Sequence, residues 1–161
     1  TKNWTSKGNL KGDSSQGFSE RANNVNAVDE RTITPYRQVD SLIRSINQNF
    51  NLPDVKLLEE ICSTSDGDLA ETFGNISKRL FESNLSDFTQ YFGANPNSCL
   101  KKSLIYSLGA DLFVYEKTAR PGKLLEEQER LIVKARKDGL SDKKIQIIND
   151  LFKDVNPDLL D

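Results

Sequence analysis

The chain has 161 residues, 36% of them hydrophobic, with 22 basic side chains against 24 acidic ones and a formal net charge of −2. That length fits one domain with one ordinary core, and the near-balance of charge gives no general pull toward nucleic acid. The absence of histidine closes Ser-His-Asp and Cys-His nucleophiles and His-ligated zinc or haem, and no stretch has the length and apolarity of a bilayer span.

Eight of the first 35 residues are apolar, against 50 of the remaining 126, a step that marks a boundary near Thr34-Pro35. Residues 1–34 are rich in Ser, Asn, Gly and charge and show no period. Such a segment buries too little surface to offset ordering, so it reads as a flexible polar arm. Its isolated Trp4, Leu10 and Phe18 are spaced as anchors for a partner. Thr1 opens without an apolar leader, as in a chain whose leader was removed or whose end was trimmed.

From Pro35 to Asp161 the period is helical throughout, and the expected fold is a single all-α bundle of six or seven helices. Val39, Leu42, Ile43, Ile46 and Phe50 follow one helical stripe, entered at Thr34-Pro35. A second helix starts near Pro53 with Val55, Leu58, Ile61 and Cys62 on one face, and Ser63 to Asp66, before Gly67, is a turn. Asp68 with Glu71 has the spacing of a capping box for a helix bearing Leu69, Phe73, Ile76 and Leu80, continued by Leu85, Phe88, Tyr91 and Phe92 past a weak spot at Ser83-Asn84. After Asn95-Pro96, Leu100, Leu104, Leu108 and Leu112 recur every four residues, and Ile105, Tyr106, Phe113 and Tyr115 widen the stripe into a central helix. Gly109 within it weakens the helix by about 1 kcal/mol against Ala, which points to a close helix crossing there. Arg120-Pro121-Gly122 separates it from a helix with Leu124, Leu125, Leu131, Ile132 and Ala135 inward. Asp138-Gly139 stops that helix, Ser141 caps the last one, which carries Ile145, Ile148, Leu151 and Phe152, and Pro157 limits it.

The chemistry-bearing patterns are few. Asp66-Gly67-Asp68 fails the calcium-loop template, because with Gly67 in the glycine slot the first ligand position is Cys62 and the twelfth is Phe73. Glu59-Glu60 and Glu126-Glu127 are adjacent pairs that point to different sides of a helix. No phosphate-binding glycine pattern occurs. Three N-x-S/T sequons, at Asn3, Asn75 and Asn84, carry no weight, since 14 asparagines and 23 serines plus threonines give about two by chance. Cys62 and Cys99 read as small core residues that pair only if the fold brings them close. On thiol usage alone a cytoplasmic or organelle-stroma setting is favoured.

The helical hairpin 123–152 has the opening of a helix-turn-helix, with Lys123, Arg130, Lys134 and Lys137 within about 60° of arc and Lys143 and Lys144 beyond the turn. Interleaved Glu126, Glu127 and Glu129 make a salt-laced solvent face the favoured account, and nucleic-acid binding an alternative. The run Cys99-Leu-Lys-Lys, Tyr106-Ser-Leu108, Thr118-Ala-Arg-Pro121 and Gly139-Leu-Ser141 loosely resembles the central helices of the phycobiliproteins, globin-like light-harvesting proteins that attach a bilin to a cysteine. Lys102 stands where that family has an aspartate holding the bilin nitrogens, and the chain ends before the family's final helix fits. The resemblance implies a ligand or pigment carried in a helical pocket.

The expectation from the residues themselves is a non-enzymatic adaptor or assembly module, with no cofactor or metal, that binds another protein. Trp4 and Phe18 in the arm, and Tyr91, Phe92 and Tyr115 on the domain, are the candidate partner-binding residues. A groove between amphipathic helices is a ready site for a partner helix.

Overall fold

The computed structural model describes residues 35–161; the arm at 1–34, with Trp4 and Phe18, lies outside the described residues. Among the described residues there are seven α-helices and no strand, so this part of the chain is all-α. The helices are α1 (35–48), α2 (Leu52–Thr64), α3 (Gly67–Ser83), α4 (Leu85–Ala94), α5 (Cys99–Ala110), α6 (Arg120–Lys137) and α7 (Asp142–Lys153). Two short 3₁₀ turns, Asp111–Val114 and Lys117–Ala119, join α5 to α6. No helix of the described residues is long and apolar enough to cross a membrane.

The helix starts follow from local chemistry. Asn51 caps α2, its side-chain oxygen accepting from the Asp54 amide at 3.0 Å, and Pro53 occupies the first turn, where its missing N–H is harmless. Ser98 and Ser141 cap α5 and α7 in the same way, accepting from Lys101 N and Lys144 N. At α3 the cap differs from the capping box expected at Asp68. The N-cap is Asp66 without a side-chain hydrogen bond, and Gly67 takes the left-handed conformation (φ 52) that lets the chain turn directly into the helix.

α5 is the central helix: Leu100, Leu104 and Leu108 are buried along it, and Leu112 is buried just beyond its end. It packs most extensively on α3, and the residue that permits this is Gly74. A Cβ there would lie 3.1 Å from the Ser107 Cβ, tighter than ordinary van der Waals contact, so a larger residue would push α3 and α5 apart by a few tenths of an ångström. The close approach expected at Gly109 is of another kind. A Cβ at Gly109 would sit 2.6 Å from the carbonyl oxygen of Asn156, so it accommodates the C-terminal tail, not a crossing helix.

The aromatic centre lies among α3, α4 and the α1–α2 connection. Phe88 meets Phe50 edge-on with centroids 5.2 Å apart, and Phe92 contacts Phe81 at 5.7 Å and Phe88 at 5.6 Å. Offset and edge-to-face contacts of this kind add to what burial of the rings already contributes. α3 and α4 are separate helices. Asn84 between them has non-helical backbone (φ −132, ψ 51), and its amide nitrogen donates to Leu80 O and Asn47 Oδ1.

The two cysteines do pair. Cys62 in α2 and Cys99 at the start of α5 form a disulfide with Cα atoms 6.0 Å apart, which corrects the expectation of two reduced core residues. Disulfides persist in oxidising surroundings, so thiol usage no longer favours a cytoplasmic setting. Beside the bond, Glu59 of α2 reaches the same helix terminus. Its carboxylate accepts from the Cys99 amide, from Leu100 N at 3.3 Å, from Ser98 Oγ at 2.8 Å and from the Tyr91 phenol at 3.2 Å. A carboxylate at the positive end of a helix is favourable, and here it comes from a neighbouring element. Burial first, and then the Glu59 charge, push the Tyr91 phenol up to about 12.

Candidate functional site

The run Leu112-Phe113-Val114-Tyr115 departs most from expectation, and it builds the candidate site. α5 stops at Ala110 and tightens into a 3₁₀ turn, after which Tyr115 is extended (φ −98, ψ 152), its amide donating to Leu112 O at 3.0 Å. Four successive apolar residues cannot all face inward on one helix. Leu112 takes the core, while Phe113, Val114 and Tyr115 stay exposed at 53%, 80% and 42%. Tyr106, expected inward, is also exposed. Singly scattered apolar side chains need no explanation, but three in succession at one corner do.

This corner is braced by a buried arginine. Arg120, at the start of α6, donates from Nε to the Tyr115 carbonyl at 3.0 Å, and from one terminal nitrogen to Asp161 at 2.8 Å and Asp158 at 3.3 Å. Its guanidinium lies 5.6 Å from the centroid of Phe113, and Lys123 Nζ lies 5.4 Å from that of Tyr115; both are cation–π contacts. Asp161 also accepts from Lys117 at 3.0 Å. Hydrogen bonds from Arg120, then from Lys117, hold the Asp161 carboxyl below its ordinary range. Arg120 therefore fixes the lip's backbone to the C-terminal tail.

Beside Tyr115, at the end of the lip, opens a cleft of about 300 Å³ between α3, α5 and α6, with Leu108, Leu112 and Leu124 along it. The carboxylates on its walls are matched to cations: Asp111 to Lys78 at 2.7 Å, Glu126 to Lys123 at 3.1 Å and Glu127 to Arg130 at 2.6 Å. Arg130, which also reaches Glu82 at 2.7 Å, holds the Glu127 carboxyl below the usual range, chiefly by hydrogen bonding and against a smaller opposing effect of burial. The cleft thus offers apolar surface within a rim of neutralised charge, suited to binding. Among the described residues no group of three or more His, Cys, Asp or Glu is placed to hold a metal ion.

The sequence-predicted residues divide. Tyr115 is on the lip. Tyr91 and Phe92 are 7% and 1% exposed, so as partner-binding residues they are corrected: Phe92 fills the aromatic centre and Tyr91 serves the Glu59 cluster. The basic stripe is largely engaged, with Lys134 on Asp138 at 3.1 Å and Lys144 on Ser86 at 2.7 Å, besides Lys123 and Arg130 above. Lys137 and Lys143 are exposed and have no ion pair among the described residues. Leu125, expected inward, is 53% exposed. Cys99, the cysteine of the phycobiliprotein-like run, is bonded to Cys62, so its thiol is not available to carry a bilin. Sequence reasoning missed Val114 and Arg120. The signal for the first was the unbroken apolar run itself; the second carried none, since an arginine beside a proline reads as surface.

No protein-family model, no curated protein and no solved structure matches the chain.

Proposed function

We propose that the domain is a non-enzymatic interaction module, an adaptor or assembly subunit that docks another protein on the Phe113–Tyr115 lip and the cleft beside it. The observation that carries this reading is the lip: three successive exposed apolar side chains on a corner braced by a buried arginine. Two aromatics and a valine on a prefixed backbone lose little conformational freedom on binding, and anchors of this type dominate binding energies. The surrounding Lys117, Lys123 and Glu126 form a polar rim. Trp4 and Phe18 remain in the proposal as anchors contributed by the arm.

The test is capture from the source extract with the full chain as bait, washed at low and high salt, beside Val114→Asp and Trp4→Ala/Phe18→Ala forms of the same length. A protein that survives high salt and is lost with Val114→Asp, while the variant keeps the wild-type circular dichroism and melting curve, supports the reading. Capture indifferent to Val114→Asp removes the lip from the mechanism, and loss only with the arm variant moves the site to residues 1–34. Nucleic acid retained at low salt alone would replace a protein partner with the exposed Lys137 and Lys143.

A further inference from the structure

A second exposed apolar feature lies on α6, away from the lip. Leu125 and Val133 are 53% and 64% exposed, and Ile132 between them is only partly buried. At 100° per residue these three, with Glu129 and Arg136, fall within about 100° of arc. They line a shallow groove of about 450 Å³ that reaches Asn149 of α7. Gln128 donates to Asn149 at 2.8 Å, fixing the groove's far wall.

The charges on this stripe are ordered. Glu129 and Arg136 are both exposed, and neither side chain makes a hydrogen bond or an ion pair among the described residues, whereas Lys123, Arg130 and Lys134 on the adjoining face are all paired. The acid lies toward the start of the helix and the base toward its end, with Ile132 and Val133 midway. A surface ordered in this way is complementary to itself under a two-fold rotation. An axis passing between Ile132 and Val133 runs two copies of α6 antiparallel, with Glu129 of each level with Arg136 of the other.

We infer that the α6 face is a docking surface for a second copy of this chain, forming an isologous antiparallel dimer with Ile132 and Val133 at its centre and two symmetric Glu129–Arg136 pairs flanking them. One helix stripe is narrow, so the contact belongs with small specific interfaces of below about 1,200 Å², and the dimer is weak and concentration-dependent. This surface is separate from the lip, so a dimer presents two lips to partners. The inference therefore goes beyond the interaction-module proposal and stands or falls apart from it.

The experiment is sedimentation velocity on the purified full chain, alone in solution, from about 1 μM to 1 mM. Wild type is expected to shift from monomer toward dimer. Glu129→Arg and Arg136→Glu should each weaken association roughly 16-fold, because two attractive pairs become two repulsive ones, and each of the four changes alters affinity by a factor of about 2. Both positions are exposed, so circular dichroism should be unchanged. The decisive sample is an equimolar mixture of the two single variants: a mixed dimer has opposite charges at both positions, so association should return to the wild-type range. A monomeric wild type at every concentration, a dimer indifferent to either substitution, or a mixture that fails to recover would each overturn the inference. Because no other partner is present, those outcomes leave the lip proposal untouched.

Discussion

Removing the covalent tie between α2 and α5 gives the most direct check on how this domain is held together. Cys62→Ala with Cys99→Ala opens a loop whose ends are 37 positions apart, and on the chain-entropy account a loop of that length contributes about 4 kcal/mol by restricting the unfolded chain. That is a large part of the roughly 5–15 kcal/mol expected for a domain of this size. The native contacts at the junction persist in the variant, because Glu59 still accepts from the first amides of α5 and from Ser98. The variant should fold and lose stability chiefly through the unfolded state. In equilibrium urea denaturation, with slopes of about 1–3 kcal/mol per molar, the midpoint should fall by about 2 M, and the slope should rise as the unfolded chain expands. Reductant should produce the same change in the wild type and none in the variant. A loss of less than about 1 kcal/mol, or a reductant effect that persists in the variant, would refute the reasoning.

Two further outcomes follow from particular contacts. Tyr91 carries its proton to about pH 12 against an ordinary 10.0. Between those values the unfolded chain has released the phenolic proton and the folded one keeps it, so this contribution to stability is complete below pH 10 and fades as pH rises toward 12. Glu59→Gln should bring the phenol's midpoint down in an ultraviolet titration of the folded protein; an unchanged midpoint would leave burial alone as the cause. Gly109→Ala sets two effects against each other: about 1 kcal/mol of helix propensity is gained, while the new methyl meets the Asn156 carbonyl oxygen at 2.6 Å, an overpacking that costs about 1–3 kcal/mol. A net loss of about 1 kcal/mol is expected, visible as a lower melting temperature, and a more stable variant would show that the tail yields freely.

Period and punctuation carried most of the fold. The leucines at 100, 104, 108 and 112 are buried as their spacing requires, and Ser141 caps the last helix. What stayed hidden depends on contacts distant in the chain. A separation of 37 positions says nothing about whether two cysteines meet, and the disulfide forms because α2 packs against α5. Gly74 and Gly109 look alike in a helical pattern, yet one faces Ser107 of a crossing helix and the other a backbone carbonyl of the tail. The candidate site was half legible. Tyr115, named as a partner-binding candidate, is exposed, but Phe88, Tyr91 and Phe92 carry the same composition signal as the lip. The end of α5 at Ala110 is what turns Phe113 and Tyr115 out to solvent, whereas Phe88, Tyr91 and Phe92 lie on the buried face of α4. On α6 the alternation of acids and bases was plain, whereas the exposure of Leu125, which makes the face apolar, depends on how α6 is turned against its neighbours.

The Cys62–Cys99 bond also alters what a severed backbone means for this molecule. It closes a ring that contains all of α3 and α4, together with the exposed turn at Asn95–Asn97. Exposed turns are where proteases cut most readily. A single cut there releases nothing: the two pieces stay joined through sulfur, migrate as one species until reduced, and remain packed through α3 on α5 and α4 on α7. Within this stretch, continuity of the peptide chain and integrity of the folded body are separable properties.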